Sequence, residues 1–307
     1  MYHTDCLSQR SSSLRHGWRS VGRAMTPPDD GHEQGLSDPL TPQLADDLAL
    51  ALRAAAVADA VSHPGFVERS FTVERKADKS EVTQLDRNTE SAISDLLRAE
   101  RPNYSLYGEE HGVVGPSNAE FQWVIDPIDG TSNFVRGVPV WATLIALVHR
   151  DEPLLGVVSA PALGMRWWAA RGLGAFHSSV AAGNASSGIR VSDVSEVRRA
   201  SASITVTESW HAAKKTDQLH SLQRNVGRLR NYGDFWQHMM VAQGTVDFAI
   251  DAIGLGPYDI AAIAAIVAEA GGTWSNRHGD TDWRSDSLIT SNGRLHGAVL
   301  GALGSDR

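Results

Sequence analysis

The chain has 307 residues, of which 42% are hydrophobic, and a formal net charge of −8. This length and apolar content are enough for one large folded domain, and the acidic balance argues against nucleic acid as a partner. The sequence contains no uninterrupted apolar run long enough for a membrane span.

Residues 1–40 are predicted to form a tail that precedes the folded domain. They are rich in Ser, Arg, Gly and Pro and lack apolar periodicity. No hydrophobic segment follows the arginines, so a secretory signal is not expected, whereas an organelle-type address or translation from Met25 stays open. The single cysteine, Cys6, excludes an internal disulfide framework and indicates a reducing, cytoplasmic setting.

Residues 41–307 are predicted to form one domain, with an N-terminal half of about 41–180 that binds metal and a C-terminal half of about 181–305. Apolar residues at spacings of three and four predict a first helix from residue 44 to the neighbourhood of Pro64, which is expected to end it. The other predicted helices cover residues 86–99, 234–243 and 258–270.

Apolar runs between these helices predict strands, and residues 141–148 and 154–160 are expected to pair as a hairpin. The remaining predicted strands cover residues 104–107, 121–125, 167–169, 204–206 and 246–250, with a loop at 183–188. Because helices and strands mix without strict βαβ alternation, the pattern predicts a layered α/β or α+β fold.

The most informative segment is DPIDGT at residues 126–131, which directly follows an apolar strand. Two carboxylates buried together repel each other strongly, and a bound divalent cation would remove that penalty. Oxygen ligands favour Mg²⁺, Mn²⁺ or Ca²⁺ over zinc. The alternative interpretation is an ordinary Asp-Pro turn.

Two further acidic features strengthen the metal interpretation. The pair Glu109–Glu110 follows Gly108 at the end of a predicted strand, and Asp259 opens a predicted helix. Asp259 alone could be a simple helix cap. It is the combination with residues 126–131 that predicts a metal-dependent site.

Four separated motifs together resemble the inositol monophosphatase family. They are VTQLD at 82–86, GEE at 108–110, DPIDGTSNF at 126–134 and YDIAA at 258–262. The motifs occur in the order of the family, and the resemblance covers roughly residues 45–300. It implies an αβαβα sandwich, a cluster of two or three Mg²⁺ ions with Mn²⁺ as an alternative, and a homodimer.

The resemblance also implies roles for individual residues. The metal ligands would be Glu109, Asp126, Asp129, Asp259 and the carbonyl of Ile128. Asp86 and Thr131 would orient and deprotonate an attacking water, with Glu109 a further member of the catalytic set. The backbone amides of Gly130, Thr131 and Ser132 would hold the phosphate group of a small-molecule ester.

Within the family, residues 129–147, 156–164, 166–170 and 233–236 most resemble the bacterial histidinol-phosphate phosphatases. That substrate carries an ammonium and an imidazole, so a pocket carboxylate outside the metal set would favour it. Asp251 and Asp234 are the candidates, although each could equally be a solvated surface aspartate.

Two departures leave the substrate open. Ser132 stands where the histidinol branch usually has lysine, and Asp251 where an acid is usually glutamate. Inositol 1-phosphate and other sugar or nucleotide phosphates therefore remain alternatives.

A protein that keeps this fold without turnover is the alternative of another class, but every carboxylate of the proposed set is present. A nucleotide-cofactor enzyme is disfavoured because no Gly-x-Gly-x-x-Gly turn follows a strand. None of the twelve histidines is assigned a catalytic role.

Overall fold

The structure, a computed structural model, describes residues 40–76, 80–205 and 207–304. Apart from Leu40, the predicted tail lies outside the described residues, and so does Val206 at the end of a predicted strand. Within the described part of the chain, no helix combines the length and apolar character needed to cross a bilayer.

The helices occur at both ends of the described chain and between its strands. They are α1 (Thr41–Glu68), α2 (Gln84–Glu100), α3 (Thr131–Arg136), α4 (Glu208–Ala212), α5 (Thr216–Asn225), α6 (Asp234–Ala242), α7 (Pro257–Glu269) and α8 (His296–Leu303). Two short 3₁₀ turns cover Val180–Ala182 and Val197–Arg199.

The largest sheet has eight strands in the order β10-β9-β8-β7-β6-β5-β3-β4. These strands are β3 (Ser105–Gly108), β4 (Gly112–Val114), β5 (Phe121–Asp129), β6 (Ala142–His149), β7 (Glu152–Ala160), β8 (Met165–Ala170), β9 (Gly174–Ser179) and β10 (Ser186–Gly188). Apart from the parallel pair of β3 and β5, neighbouring strands run antiparallel.

A second sheet has five strands in the order β12-β11-β13-β15-β14, and a hairpin of β1 and β2 precedes α2. Their bounds are β1 (Val73–Arg75), β2 (Glu81–Thr83), β11 (Ser201–Ile204), β12 (Arg228–Arg230), β13 (Phe248–Ile250), β14 (Thr273–Ser275) and β15 (Ile289–Ser291).

The elements stack in five layers. Helices α1 and α2 cover one face of the eight-stranded sheet, and α6 and α7 lie between the other face and the five-stranded sheet. Helices α4, α5 and α8 cover the outer face of the five-stranded sheet. The pleat of β5 illustrates the order, since Val124 packs toward α7 and Ile125 toward α1 and α2. The predicted αβαβα sandwich is confirmed.

The predicted end of α1 is wrong, because the helix continues through Pro64 to Glu68. Proline in a helix interior costs about 3 kcal/mol. The extra turn is held by tertiary packing, since the Phe66 ring lies 5.3 Å from the rings of Phe134 and Trp141. Packing against distant aromatic residues therefore overrides the local stop signal.

Smaller differences concern the bounds of three strands. The predicted loop at 183–188 contains β10, an edge strand whose Ser187 pairs with His177 of β9. The predicted strand at 204–206 lies earlier, as β11, and that at 246–250 begins only at Phe248. The bounds of a strand depend on pairing with a neighbouring strand, so apolar periodicity does not reveal them.

Candidate metal centre and active site

The two aspartates of the DPIDGT motif are brought together by an irregularity in β5. In a regular strand, side chains three residues apart point to opposite faces of the sheet. Here Asp126 pairs with Leu144 and Asp129 with Ala142, so β5 advances three residues while β6 advances two. This bulge places one extra residue in β5 and redirects the second aspartate.

Asp259 completes an acidic trio with these two residues. Carboxylate oxygens of Asp126, Asp129 and Asp259 lie within 4.8 Å of one another. Asp259 is the third residue of α7, and its Oδ2 accepts a hydrogen bond of 2.6 Å from the backbone amide of Gly256. The apolar stripe of α7 packs into the core, which fixes where this first turn presents the carboxylate.

Burial makes the trio electrostatically costly without a cation. It raises the pKa of Asp259 to about 6. Burial and the neighbouring carboxylates also raise the pKa of Asp126 and of Asp129 well above the ordinary range. Without a cation, the three clustered carboxyl groups resist ionisation. A hard divalent cation would stabilise their ionised form and accept their oxygen atoms as ligands.

Glu109 lies beside the trio rather than within it, and it carries an ion pair. Its Oε1 is 2.7 Å from Nζ of Lys76, which also lies 2.6 Å from Oε1 of Glu110. Burial raises the pKa of Glu109 to about 7, although the adjacent ammonium opposes the shift. The charge of Glu109 in turn contributes to the raised pKa of Asp126, which places the two groups within electrostatic reach.

Asp86 and Thr131 are joined by a hydrogen bond, as the predicted catalytic pair requires. Oγ1 of Thr131 lies 3.1 Å from Oδ1 of Asp86 and 3.0 Å from the carbonyl oxygen of Ile128. The other oxygen of Asp86 accepts hydrogen bonds from the amide and the hydroxyl of Thr83, which caps α2. Asp86 is fully buried, and burial raises its pKa.

Glu90 is a buried residue beside the site that the sequence analysis missed. Its buried carboxylate accepts hydrogen bonds from the amides of Glu110 and His111, at 2.8 and 2.9 Å, and lies 2.9 Å from Nδ1 of His111. A Cβ on Gly108 would lie 2.0 Å from Oε1 of Glu90, so this motif requires glycine. Glu90 follows Asp86 by one helical turn, and that spacing is the signal that could have revealed it.

Replacing Glu90 with glutamine is expected to weaken the binding of a divalent cation. The side-chain amide has one acceptor oxygen in place of two, so the turn that carries Glu109 loses one of its two hydrogen bonds to Glu90. The Kd for a divalent cation, measured by calorimetry, should rise about 10- to 100-fold. Asp95→Asn, an exposed change on the same helix, is the control, and an unaltered cation titration of Glu90→Gln would contradict this role.

The segment predicted to hold phosphate forms the start of α3. Gly130 precedes this helix with φ of +80°, and a Cβ there would lie 3.0 Å from the carbonyl oxygen of Val140. Ser132 is exposed, and its hydroxyl donates a hydrogen bond of 3.0 Å to Glu81. Arg136 also contacts Glu81, at 2.7 Å.

The two candidate specificity residues lie within electrostatic reach of the acidic trio. Oδ2 of Asp234 accepts a hydrogen bond of 2.7 Å from Asn133, and burial raises the pKa of Asp234 to about 6, with Asp251 contributing. The following amide, of Phe235, donates to Oδ2 of Asp129 at 3.0 Å. Asp251 is 7% exposed, so neither aspartate is a solvated surface residue.

Three tryptophans belong to the core of the structure. Trp141 and Trp167 are fully buried, and Trp168 is 8% exposed. Each packs in a hydrophobic cluster.

Comparison with known proteins identifies relatives of this chain. The model of the inositol monophosphatase family matches residues 43–305. A histidinol-phosphatase of Streptomyces coelicolor is 44% identical over 266 residues, covering 85% of this chain and 98% of the relative. A histidinol-phosphatase of Mycobacterium tuberculosis is 42% identical over 255 residues, covering 83% and 96%.

A solved structure shows the same architecture. The extragenic suppressor protein suhB of Bartonella henselae superposes with a TM-score of 0.76 at 26% identity, covering 85% of this chain and all of that protein. Family match, fold and acidic site agree: the chain belongs to the inositol monophosphatase family and is a phosphoric monoester hydrolase.

Proposed function

We propose that this enzyme hydrolyses L-histidinol phosphate to L-histidinol and inorganic phosphate, a step of histidine biosynthesis. The observation that carries the proposal is the presence of two further carboxylates, Asp234 and Asp251, beside the acidic trio. A substrate with cationic groups gains from these charges, whereas a neutral polyol does not. The similarity to relatives named histidinol-phosphatase supports the same assignment.

The proposed metal site takes two or three Mg²⁺ ions, with Mn²⁺ as a substitute. Its residues would be Glu109, Asp126, Asp129, Asp259 and the carbonyl of Ile128. All donors in this set are oxygen atoms, and the raised pKa values of its carboxyl groups favour the binding of a cation. When bound, such ions supply acidification of water and charge neutralisation at the phosphoryl group.

Asp86 and Thr131 are proposed to accept the proton of the attacking water. The Thr131 hydroxyl donates toward Asp86 and keeps lone pairs that can accept from water. As the water oxygen bonds to phosphorus and the bond from phosphorus to the ester oxygen breaks, the water proton moves to Oγ1 of Thr131 and the Thr131 proton moves to Asp86. The leaving alkoxide takes up a proton from solvent. The clamp formed by Thr83 holds Asp86 in the required orientation.

The phosphate group is proposed to lie on the backbone amides of Gly130, Thr131 and Ser132 at the start of α3. The exposed side chain of Ser132 pairs with Glu81, so these amides, rather than a side-chain cation at position 132, would contact phosphate.

A substrate panel tests the proposed function. With Mg²⁺, kcat/KM for L-histidinol phosphate should exceed that for inositol 1-phosphate by at least about tenfold, the effect of one charge-assisted hydrogen bond. Equal values for the two esters would overturn the substrate assignment. Full activity after exhaustive chelation would overturn the metal requirement.

Metal removal is expected to destabilise the protein in a pH-dependent way. Asp259 and Glu109 have pKa values raised to about 6 and about 7, so above pH 4 the folded state binds more protons than the unfolded chain. The free energy of unfolding of the metal-free protein therefore falls as pH rises through this window. Mg²⁺ should raise Tm by about 5 °C or more at pH 8 and by less at pH 5.

Thermal unfolding with EDTA or with excess Mg²⁺ at both pH values provides this measurement. A Mg²⁺-induced increase in Tm that is larger at pH 5 than at pH 8 would contradict the electrostatic argument.

The enzyme is further proposed to have a defined oligomeric state and cellular compartment. A homodimer in the cytoplasm, without a nucleic-acid partner, is supported by the family, the net charge of −8 and the single cysteine. Sedimentation analysis tests the dimer directly.

A further inference from the structure

Three buried polar side chains connect the five-stranded sheet to the acidic site. Nδ1 of His238 lies 2.8 Å from Oγ1 of Thr290, and its Nε2 lies 3.0 Å from Oδ2 of Asp251. Thr290 and His238 are fully buried, and Asp251 nearly so. We call these three residues the histidine bridge.

The partners of His238 decide where its protons lie. The Asp251 carboxylate only accepts hydrogen bonds, so Nε2 of His238 donates to it. In the neutral ring, Nδ1 is then an acceptor, and the Thr290 hydroxyl donates to it. Asp251 therefore selects the tautomer of His238, and the hydrogen bond with Thr290 helps to orient the ring.

Hydrogen bonds fix both the backbone and the side chain of Asp251, but its carboxylate oxygens can still accept hydrogen bonds from a ligand. Its amide donates to the carbonyl of Leu288 at 3.0 Å, and its carbonyl accepts from Nε1 of Trp210 at 2.8 Å. Its Oδ1 accepts from the amide of Ala252 at 2.7 Å, and Oδ2 accepts from His238. With one donor on each oxygen among the described residues, unused lone pairs remain on both.

The bridge lies near the acidic site. His238 lies one turn after Asp234 on α6, and the amide of Phe235, in that turn, donates a hydrogen bond of 3.0 Å to Asp129. The charge of Asp251 acts on Asp129, Asp234 and Asp259, which places its carboxylate within electrostatic reach of all three.

We propose that His238 is a positioning residue for the cationic group of the substrate. It holds Asp251 in the orientation that accepts hydrogen bonds from an ammonium or imidazolium of a phosphate ester. This inference rests on the proposed function and deepens it, because it assigns discrimination between cationic and neutral esters to a residue outside the hydrolytic machinery.

The test compares KM for L-histidinol phosphate with KM for inositol 1-phosphate in variants of the Mg²⁺-loaded enzyme. His238→Leu removes the donor to Asp251 and should raise KM for L-histidinol phosphate about tenfold or more, with KM for inositol 1-phosphate changed less than about twofold. His238→Gln places a donor near Nε2 and should restore much of the lost discrimination. KM does not depend on the fraction of folded enzyme, so a stability loss alone leaves this ratio unchanged.

His296→Leu is the matched control. This second buried histidine also bridges two side chains, Ser275 at 2.9 Å and Ser291 at 3.0 Å, at the start of α8. Its replacement should lower Tm without changing the ratio of the two KM values. Equal KM changes for both esters in His238→Leu, or none, would overturn the inference.

Two further arms keep the test decisive. If His238→Leu does not fold, Thr290→Val removes the hydrogen bond that orients the His238 ring, and an unchanged KM ratio there overturns the inference. If the unaltered enzyme does not hydrolyse L-histidinol phosphate, the proposed function fails. The bridge is then tested with O-phosphoethanolamine against glycerol 2-phosphate, and equal KM changes for these esters in His238→Leu overturn it.

Discussion

Asp129→Asn is expected to reduce Mg²⁺-dependent phosphate release by more than about a hundredfold, since even the loss of an outer-shell partner of a metal site costs 10- to 100-fold. Asp129 contributes one of three carboxylates whose oxygens lie within 4.8 Å of one another. Asparagine has nearly the same shape and still accepts the hydrogen bond from the Phe235 amide, so the local fold should persist. The change removes one negative charge from the proposed cation site.

The measurement is phosphate release against Mg²⁺ concentration, together with metal binding by calorimetry. Asp217→Asn, an exposed aspartate in the first turn of α5, controls for a general loss of acidic charge. Activity within tenfold of the unaltered enzyme at saturating Mg²⁺ would show that Asp129 is not a metal ligand.

Asp86→Asn should lower kcat by about 10²- to 10⁴-fold, the range of general acid–base catalysis, with Mg²⁺ activation nearly unchanged. The amide oxygen can replace the carboxylate oxygen bound by Thr83, which turns the amide nitrogen toward Thr131. Thr131 would then accept a hydrogen bond from position 86 rather than donate one, so the proton acceptor for water is lost. Unlike Asp129→Asn, this change should leave metal binding intact.

A double-mutant cycle distinguishes a shared role from two separate ones. Thr131→Val removes the hydroxyl that links water to Asp86, and it should have an effect similar to that of Asp86→Asn. If the two residues act as one unit, the double variant will be little slower than either single variant. Multiplicative losses of kcat would instead mean that Asp86 and Thr131 act independently.

Much of the site could be predicted from the sequence because its residues lie in short motifs. Asp86, Glu109, Asp126, Asp129 and Asp259 each lie in one of four such motifs. The geometry confirms the convergence of the three aspartates and the contact between Asp86 and Thr131. The roles assigned to these residues stay predictions until the variants are measured.

Other parts of the site depend on contacts between distant segments. Glu90 organises the turn that carries Glu109 through backbone amides 20 and 21 residues away. His238 reaches Asp251 and Thr290, 13 and 52 residues along the chain. A scattered histidine or a helical glutamate has no distinctive local pattern, so sequence analysis passes over both.

The sequence by itself determined the layered fold class and the main apolar strands and helices, and its motifs supplied the carboxylates of the predicted metal site, because apolar periodicity and short motifs are local properties. Only the tertiary structure decided that a bulge turns Asp129 toward Asp126, that aromatic packing carries α1 past Pro64, and that a buried histidine holds Asp251 beside the acidic trio. Each of these features depends on a surface supplied by a residue far along the chain, and such surfaces exist only once the layers have packed.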